Sequence, residues 1–270
     1  MMQRKTGPLA GILTLLDVDN FLRQRKGAIR RELHYIIQRC RAFGMTVGLV
    51  TGSPLRDVEH LTAVDIILAE SGALQVYNGK TVVCQESSHA IDRLLAFLGL
   101  KKSVNGRHDT EYGSIIVDGG RRASFTAFCE GAPPHYPGCN ATASRSDIEK
   151  WLSAGIKHIA VCLMLSVGND DDCHWVDVIN PRKTKSNSIQ QLLKEHQEHH
   201  EHPYSHVYYG GDAVSDLQVV MENKSIIPLA TNNCIAPMRH EAEHRGIYVD
   251  EDGPGGGVER VLYSIIDHHL

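Results

Sequence analysis

No apolar run in this chain of 270 residues approaches the ~20 residues needed to cross a bilayer. Basic charge is in short supply too: 28 Lys and Arg stand against 32 Asp and Glu, a net charge of −4, so there is no footprint for nucleic acid or anionic lipid. There is no internal repeat and no C-x-x-C pair. The seven cysteines are scattered, and Cys84, Cys129 and Cys162 lie in apolar, strand-like runs, which is the pattern of reduced thiols and not of a disulfide framework. The opening residues Met1-Met2-Gln3-Arg4-Lys5 lead toward a strand instead of the apolar centre of a signal peptide. These absences point to a soluble, cytoplasmic protein that handles small ligands, with no nucleic-acid or membrane partner and no indication of oligomeric state. With 42% hydrophobic residues, the chain can fill one large core or two modest ones.

Alternation of apolar runs with helical spacing sets the expected fold. Residues 10–16 read as a buried parallel strand, 24–43 as a helix closed by Gly44, and 45–50 as the next strand. A helix from Pro54 and a strand at 64–69 continue the pattern, which predicts a parallel sheet covered by helices. Leu74–Tyr77 and Lys80–Cys84 flank Asn78-Gly79, a pair suited to the positive φ angles of a tight hairpin. The pattern then changes. A helix at 88–98 precedes two strands, 113–118 and 122–129, expected to be antiparallel across Asp118-Gly119-Gly120. Ser146-Asp147-Ile148-Glu149 reads as a capping box, and strands at 158–166 and 174–179 flank the turn Gly168–Asp172. The βα alternation resumes with a helix from about 187, a strand at 206–210, a helix after Ser215, a strand at 225–230 and a last helix from about 256. The expected fold class is α/β: a Rossmann-like parallel-sheet core of residues 1–84 and 181–270, with residues 85–180 inserted as an α+β domain.

Four short segments carry candidate chemistry. Asp17-Val18-Asp19 follows the first strand, and the period of two in extended chain points both carboxylates to one side, at the carboxyl edge where α/β sheets bind ligands. Such a pair suits a nucleophile and an acid/base partner, although a D-x-D triplet also serves as a loop cap or a nucleotide-metal site. Thr51-Gly52-Ser53 follows the second strand. A hydroxyl and the Gly52 N–H there can receive a phosphate oxygen, and Thr51 or Ser53 can equally cap a helix. Lys185, with Lys183 as competitor, precedes a helix and offers a cation. Gly211-Asp212-Ala213-Val214-Ser215-Asp216 follows a later strand and brings two more carboxylates. Carboxylates converging on one phosphate need a cation, because unit charges ~4 Å apart repel by about 4 kcal/mol at an effective dielectric of 20. Magnesium, which favours oxygen ligands, meets that need.

In this order the four segments resemble the haloacid dehalogenase superfamily of phosphoryl-transfer enzymes. The resemblance implies that Asp17 is the nucleophile and Asp19 the acid/base, and that Thr51, Gly52 and Lys185 bind the substrate phosphate. It also implies that Asp17, the backbone carbonyl of Asp19, Asp212 and Asp216 hold Mg2+, Asp216 directly or through water. The inserted domain stands where the large cap of subclass IIB occurs, a cap that closes over the active site. The expected activity is therefore magnesium-dependent hydrolysis of a small phosphomonoester, a sugar phosphate, through an aspartyl-phosphate. The alternatives are a sugar phosphomutase of the same superfamily, a non-catalytic binding or regulatory relative and, more distantly, a glycosyltransferase. The chain departs from the family pattern at three points: Asn20-Phe21 replace Gly-Thr, Ser186 replaces the glycine after the lysine, and Ser215 replaces Asn before Asp216. Asn20 tolerates unusual backbone angles, and Phe21 is expected at the site entrance.

Other features read as structural. His196, His199, His200, His202 and His206 are interleaved with glutamates before Pro203 and suit a solvated helix end. Asp170-Asp171-Asp172 lacks the spacing of a calcium loop, and Gly253-Pro254-Gly255-Gly256-Gly257 reads as a turn. Arg121 and Arg122 are expected on the surface of the insertion.

Overall fold

The computed structural model describes residues 5–24, 27–77, 79–101, 106–133, 136, 138–169, 173–199 and 203–270. The chain folds as two compact units, one from the residues up to Val82 together with Lys185–Leu270, the other Val83–Thr184.

The first unit opens with β1 (Ile12–Leu16), α1 (Arg31–Ala42), β2 (Thr46–Val50) and β3 (Ile66–Ala69), followed by β4 (Leu74–Tyr77) and β5 (Lys80–Val83). Strands β1, β2 and β3 are buried throughout, as continuous apolar runs in a sheet covered on both faces should be. Helix α1 buries Leu33, Ile36, Ile37 and Cys40, the i, i+3, i+4, i+7 spacing that defines one face. It ends at Gly44, whose φ of +97° is open to glycine and costly for other residues. Asn78 lies outside the described residues, while Gly79 has the positive φ (+72°) expected of the hairpin.

No α-helix begins at Pro54. Leu55–Asp57 form a single 3-10 turn, and Val58 and Leu61 are anchored by successive short-range turns (Val58 N–H to Leu55 O, 3.0 Å; Leu61 N–H to Val58 O, 3.1 Å). Two apolar anchors three residues apart need only one turn, so nothing drives the chain on into a helix.

The second unit contains α2 (Gln85–Phe97), β6 (Gly106–Thr110), β7 (Gly113–Val117), β8 (Phe125–Gly131), α3 (Arg145–Ile159), β9 (Met164–Asn169) and β10 (Cys173–Ile179). Its sheet is antiparallel in the order β6-β7-β8-β10-β9. Ile115, Val117, Phe125, Ala127, Val176 and Val178 form its core with Ile91 and Leu94 of α2 and Ile148 and Leu152 of α3. The cap of α3 is Ser144, not Ser146: the Ser144 hydroxyl accepts the Asp147 N–H (3.1 Å). This start places buried Ala143 before the cap and buried Ile148 in the following turn, an apolar staple that Ser146 would not give. The chain expected to be strand from 158 is helical to Ile159 and leaves through Ala160 in the left-handed region. Arg121 is not on the surface. Its Nε pairs with Asp118 at 3.0 Å, with side chains 11% and 8% exposed, and the Tyr136 hydroxyl donates to the same carboxylate. Asp170-Asp171-Asp172 lie outside the described residues.

The first unit resumes with α4 (Lys185–His199), β11 (His206–Gly210), α5 (Val214–Glu222), β12 (Ile226–Thr231), α6 (Ala236–Arg245), β13 (Ile247–Val249) and α7 (Gly257–His269). Its sheet runs β13-β12-β11-β1-β2-β3-β4-β5, parallel from β13 to β3 and antiparallel between β3 and β4. This order puts β1 between β11 and β2, so the chain leaving all three strands emerges at one edge. Among the described residues no helix is long and apolar enough to cross a membrane.

Candidate active site

Three of the four motifs leave the sheet side by side. Leu16 of β1 is in register with Gly210 of β11 and with Leu49 of β2, and the Asp17 N–H continues the ladder to Gly210 O at 2.8 Å. Asp17, Gly211-Asp212 and Thr51 therefore sit at the carboxyl ends of adjacent parallel strands, the edge at which open α/β sheets bind ligands.

The fourth motif enters as a cation. Lys185, the first residue of α4, places Nζ 2.8 Å from Asp17 Oδ1 and 2.7 Å from Asp216 Oδ1, with side-chain exposures of 10%, 8% and 0%. Lys183, the competitor, donates its backbone N–H to Asn180 O, and it is Lys185 that reaches the carboxylates. Burial pulls the ammonium toward its neutral form, but Asp17 and Asp216 outweigh it and leave the pKa above that of an ordinary lysine. Asp17 goes the other way from a normal carboxylate: burial pushes it well up against the opposing pull of Lys185, and Asp216 adds to the rise. Asp212 is pushed up to about 6 by burial and by Asp216, with Lys185 and an Asn20 hydrogen bond acting against the rise. One oxygen from each of Asp17, Asp212 and Asp216 can lie within 4.8 Å of the others.

Asp216 is held by three hydrogen bonds. Its Oδ1 accepts Lys185 Nζ and the Tyr209 hydroxyl (2.5 Å), and its Oδ2 accepts the Ala213 N–H (3.0 Å) at the start of α5. Gly211 makes this possible, because a Cβ there would lie 2.4 Å from Asp216 Cγ.

Asp19 has different partners from Asp17. Its Oδ2 accepts the Ser53 hydroxyl at 2.9 Å and its Oδ1 pairs with Arg23 Nε at 3.0 Å. The second motif is thus tied to the first through Ser53, whose own N–H is held by Thr51 Oγ1 (3.0 Å). Thr51 is buried, and its backbone bonds Leu68 O and the Ser71 N–H. Asn20 adopts the left-handed φ (+64°) that its residue type tolerates. Phe21 is fully buried and is a core residue, not an entrance wall; its ring occupies the space that any side chain at Gly210 would need (2.5 Å).

Tyr209 and Arg23 are absent from the candidate motifs of the sequence, where Tyr209 is one of two adjacent tyrosines in a strand and Arg23 one of several basic residues after the first motif; Ser53 and Gly211 lie within those motifs, but their contacts with Asp19 and Asp216 are not read there. Of the histidine-rich segment, His196 stacks on Tyr204 (centroids 3.9 Å apart) and His206 packs against His269. The side chain of His199 and residues His200 and His202 lie outside the described residues. The glycine-rich turn is packed in place, with the Gly253 N–H bonded to Asn233 Oδ1 at 2.8 Å.

At the level of sequence, no protein-family model and no curated protein matches this chain. Solved structures do. It superposes on the sucrose-phosphatase of Synechocystis sp. PCC6803, solved with sucrose and phosphate, with TM-score 0.58 and 14% identity over 94% of this chain and 97% of that one. A trehalose-6-phosphate phosphatase related protein gives TM-score 0.61 at 14% identity over 94% and 96%. A sugar phosphatase of haloacid dehalogenase subclass IIB gives 0.55 at 14% over 94% and 98%. The chain has the haloacid dehalogenase fold. The resemblance read from four short motifs is borne out at that level, and the match runs through nearly the whole length of the haloacid dehalogenase structures as well as of this chain.

Proposed function

We propose that this chain is a magnesium-dependent phosphomonoesterase acting on a small phosphate ester, a sugar phosphate, through an aspartyl-phosphate on Asp17. The observation that carries the reading is the buried contact of Lys185 with Asp17 and Asp216 at the carboxyl ends of β1 and β11. The Lys185 ammonium opposes the rise that burial imposes on Asp17 and so favours its ionised, nucleophilic form, and the same ammonium can meet the negative charge of an arriving phosphate. The choice of a sugar ester is supported by fold neighbours that are sucrose- and sugar-phosphatases.

The donor set fits a hard divalent cation. Asp17, Asp212 and Asp216 offer only oxygen, and one ammonium against three carboxylates leaves two negative charges, in keeping with the upward pKa displacement of Asp17 and Asp212. Asp17, Asp212 and the Asp19 carbonyl would hold Mg2+ directly, and Asp216, which already accepts three hydrogen bonds, directly or through water. The chemistry such an ion supplies is neutralisation, letting an anionic ester approach an anionic carboxylate.

In the first step an Asp17 oxygen bonds to phosphorus as the ester P–O bond breaks, and Asp19 gives its proton to the departing oxygen. In the second, Asp19 takes a proton from water as the water oxygen attacks phosphorus, which releases inorganic phosphate and restores Asp17. Ser53 and Arg23 fix the orientation of Asp19 through both steps. Thr51 and the Gly52 N–H bind the phosphoryl oxygens.

The test is inorganic phosphate release from a panel of sugar, polyol and nucleotide monophosphates, with magnesium and with chelator, using Asp17→Asn as the blank. Magnesium-dependent release that the variant lacks is expected; turnover by Asp17→Asn near the wild-type rate would remove Asp17 from its role. Asp212→Ala should raise the magnesium concentration needed for half-maximal activity at least ~10-fold, and an unchanged requirement would move the metal elsewhere.

A further inference from the structure

Helix α6 reads Ala-Pro-Met-Arg-His-Glu-Ala-Glu-His-Arg and buries Met238 and Ala242, four residues apart. Its exposed side carries His240, Glu243 and His244. Helical periodicity stacks His240 and His244 one turn apart and sets Glu243 beside them. A ligand atom from each lies within 4.8 Å of the other two, and the two imidazole centroids are 4.0 Å apart. His244 Nδ1 is 2.8 Å from His240 O, a distance at which Nδ1 carries the proton and donates it to the carbonyl. That bond fixes the tautomer and leaves the Nε2 lone pair for a ligand, the arrangement that supports metal-bound histidines.

From this geometry we propose that α6 carries a transition-metal site, with Zn2+ as the fitting ion, held by His240, Glu243 and His244 and completed by water. Two nitrogens and one carboxylate oxygen are a zinc donor set. They contrast with the all-oxygen group of Asp17, Asp212 and Asp216, so the two sites select different ions. The sequence His240-Glu241-Ala242-Glu243-His244 also satisfies the H-E-x-x-H pattern in which the first glutamate acts as a base in zinc peptidases. Here Glu241 is taken by Arg245, whose Nε lies 2.7 Å from Glu241 Oε2, and the site therefore binds metal without supplying hydrolytic chemistry. An ion bridging one turn of α6 holds the helix against fraying. The residue before that helix, Ile235, donates its N–H to Asp212 O at 3.1 Å, so the clamp acts on the segment that positions Asp212.

The test is calorimetric titration of the full chain with Zn2+ in excess Mg2+, repeated on His240→Ala/His244→Ala, on Glu243→Gln and on Asp212→Ala. The wild type and Asp212→Ala should each bind one equivalent that the double histidine variant loses, and Glu243→Gln should bind it about 10-fold more weakly. Zn2+ should raise the melting temperature of the wild type and not that of the double variant, whose side-chain changes are confined to solvent. An unchanged number of equivalents and affinity in the double variant, or no Zn2+ binding by the wild type, overturns the proposal.

Discussion

Replacing Lys185 by Met tests the electrostatic core of the site without reference to turnover. Methionine keeps the length and the apolar stem but removes the ammonium that sits 2.8 Å from Asp17 and 2.7 Å from Asp216. Breaking a buried pair by deleting one partner costs about 3–5 kcal/mol, because the charge left behind is uncompensated. For a unit of this size each kcal/mol moves the melting temperature by ~2–4 °C, so the first unit should melt roughly 6–20 °C lower. The pH dependence follows from the direction of the shifts. In the wild type the folded-state pKa of Lys185 lies above its unfolded value, so its contribution is fully present below about pH 10 and does not vary across the usual range. Asp17 is already pushed up by burial in the wild type, and the variant removes the Lys185 charge that opposes the rise. Its carboxyl is tolerated when protonated, and the cost grows as pH climbs from the unfolded pKa to the raised folded one. The deficit should therefore be larger at about pH 8 than at about pH 5. Thermal and urea unfolding of both proteins at the two pH values, in chelator, checks this. A variant as stable as the wild type at the higher pH, or a deficit independent of pH, would refute the electrostatic account.

Two further substitutions probe the scaffold of the site. Asp65 accepts from Lys5 Nζ (2.6 Å), Arg41 Nη2 (3.0 Å) and the Val47 N–H (2.9 Å), and these bonds overcome the effect of burial and lower its pKa. Asp65→Asn should cost about 1–3 kcal/mol in urea unfolding. Because a depressed carboxylate stabilises above its unfolded pKa, the gap between wild type and variant should hold from neutral pH down to about pH 4 and close below it; a gap that widens in acid would contradict the assignment. Gly211→Ala should be as harmful to activity as a change in Asp216 itself, since the new Cβ would meet Asp216 Cγ at 2.4 Å and dislodge the carboxylate from Lys185 and Tyr209. It should cost about 1–3 kcal/mol as an overpacking change, and a fully active, equally stable variant would show that Asp216 has room to move.

The parallel sheet was legible because its strands are apolar on both faces. Ile12–Leu16 and Thr46–Val50 admit few other readings once helical spacing follows each. Elements without such a stripe were missed. Strand β6 reads Gly-Arg-His-Asp-Thr, has no large apolar residue and pairs on one side only, with β7. Helix α6 has Met238 and Ala242 as its buried residues, too little for a periodic signal, and β13 is a half-buried edge of three residues. The cap of α3 was misplaced at Ser146 because Ser144 and Ser146 each have an acid three residues on, and the packing of Ala143 and Ile148 decides for Ser144. Tertiary contacts, not local propensity, settle each case.

The candidate site divides along the same line. Carboxylates at strand ends are visible in a sequence, because a charged residue directly after an apolar run can go only to the edge of the sheet. The donors that hold them are not visible, since which donor meets which carboxylate depends on the pleat and on chain returning from far away. Tyr208 and Tyr209 show why. Adjacent residues in a strand point to opposite faces, so the Tyr208 hydroxyl meets His269 Nε2 at 2.8 Å, while that of Tyr209 meets Asp216 at 2.5 Å. Nothing local distinguishes the two phenols; a register slip of one residue would exchange their roles. The same holds for Asp17 and Asp19, two residues apart. Extended chain predicts that both carboxylates face one way, yet the left-handed turn at Asn20 and the return of Arg23 give Asp19 its own partners. One carboxylate is thereby joined to the buried lysine and its neighbour to a guanidinium and a hydroxyl. Two identical side chains gain different environments, as the proposed roles of nucleophile and acid/base would require.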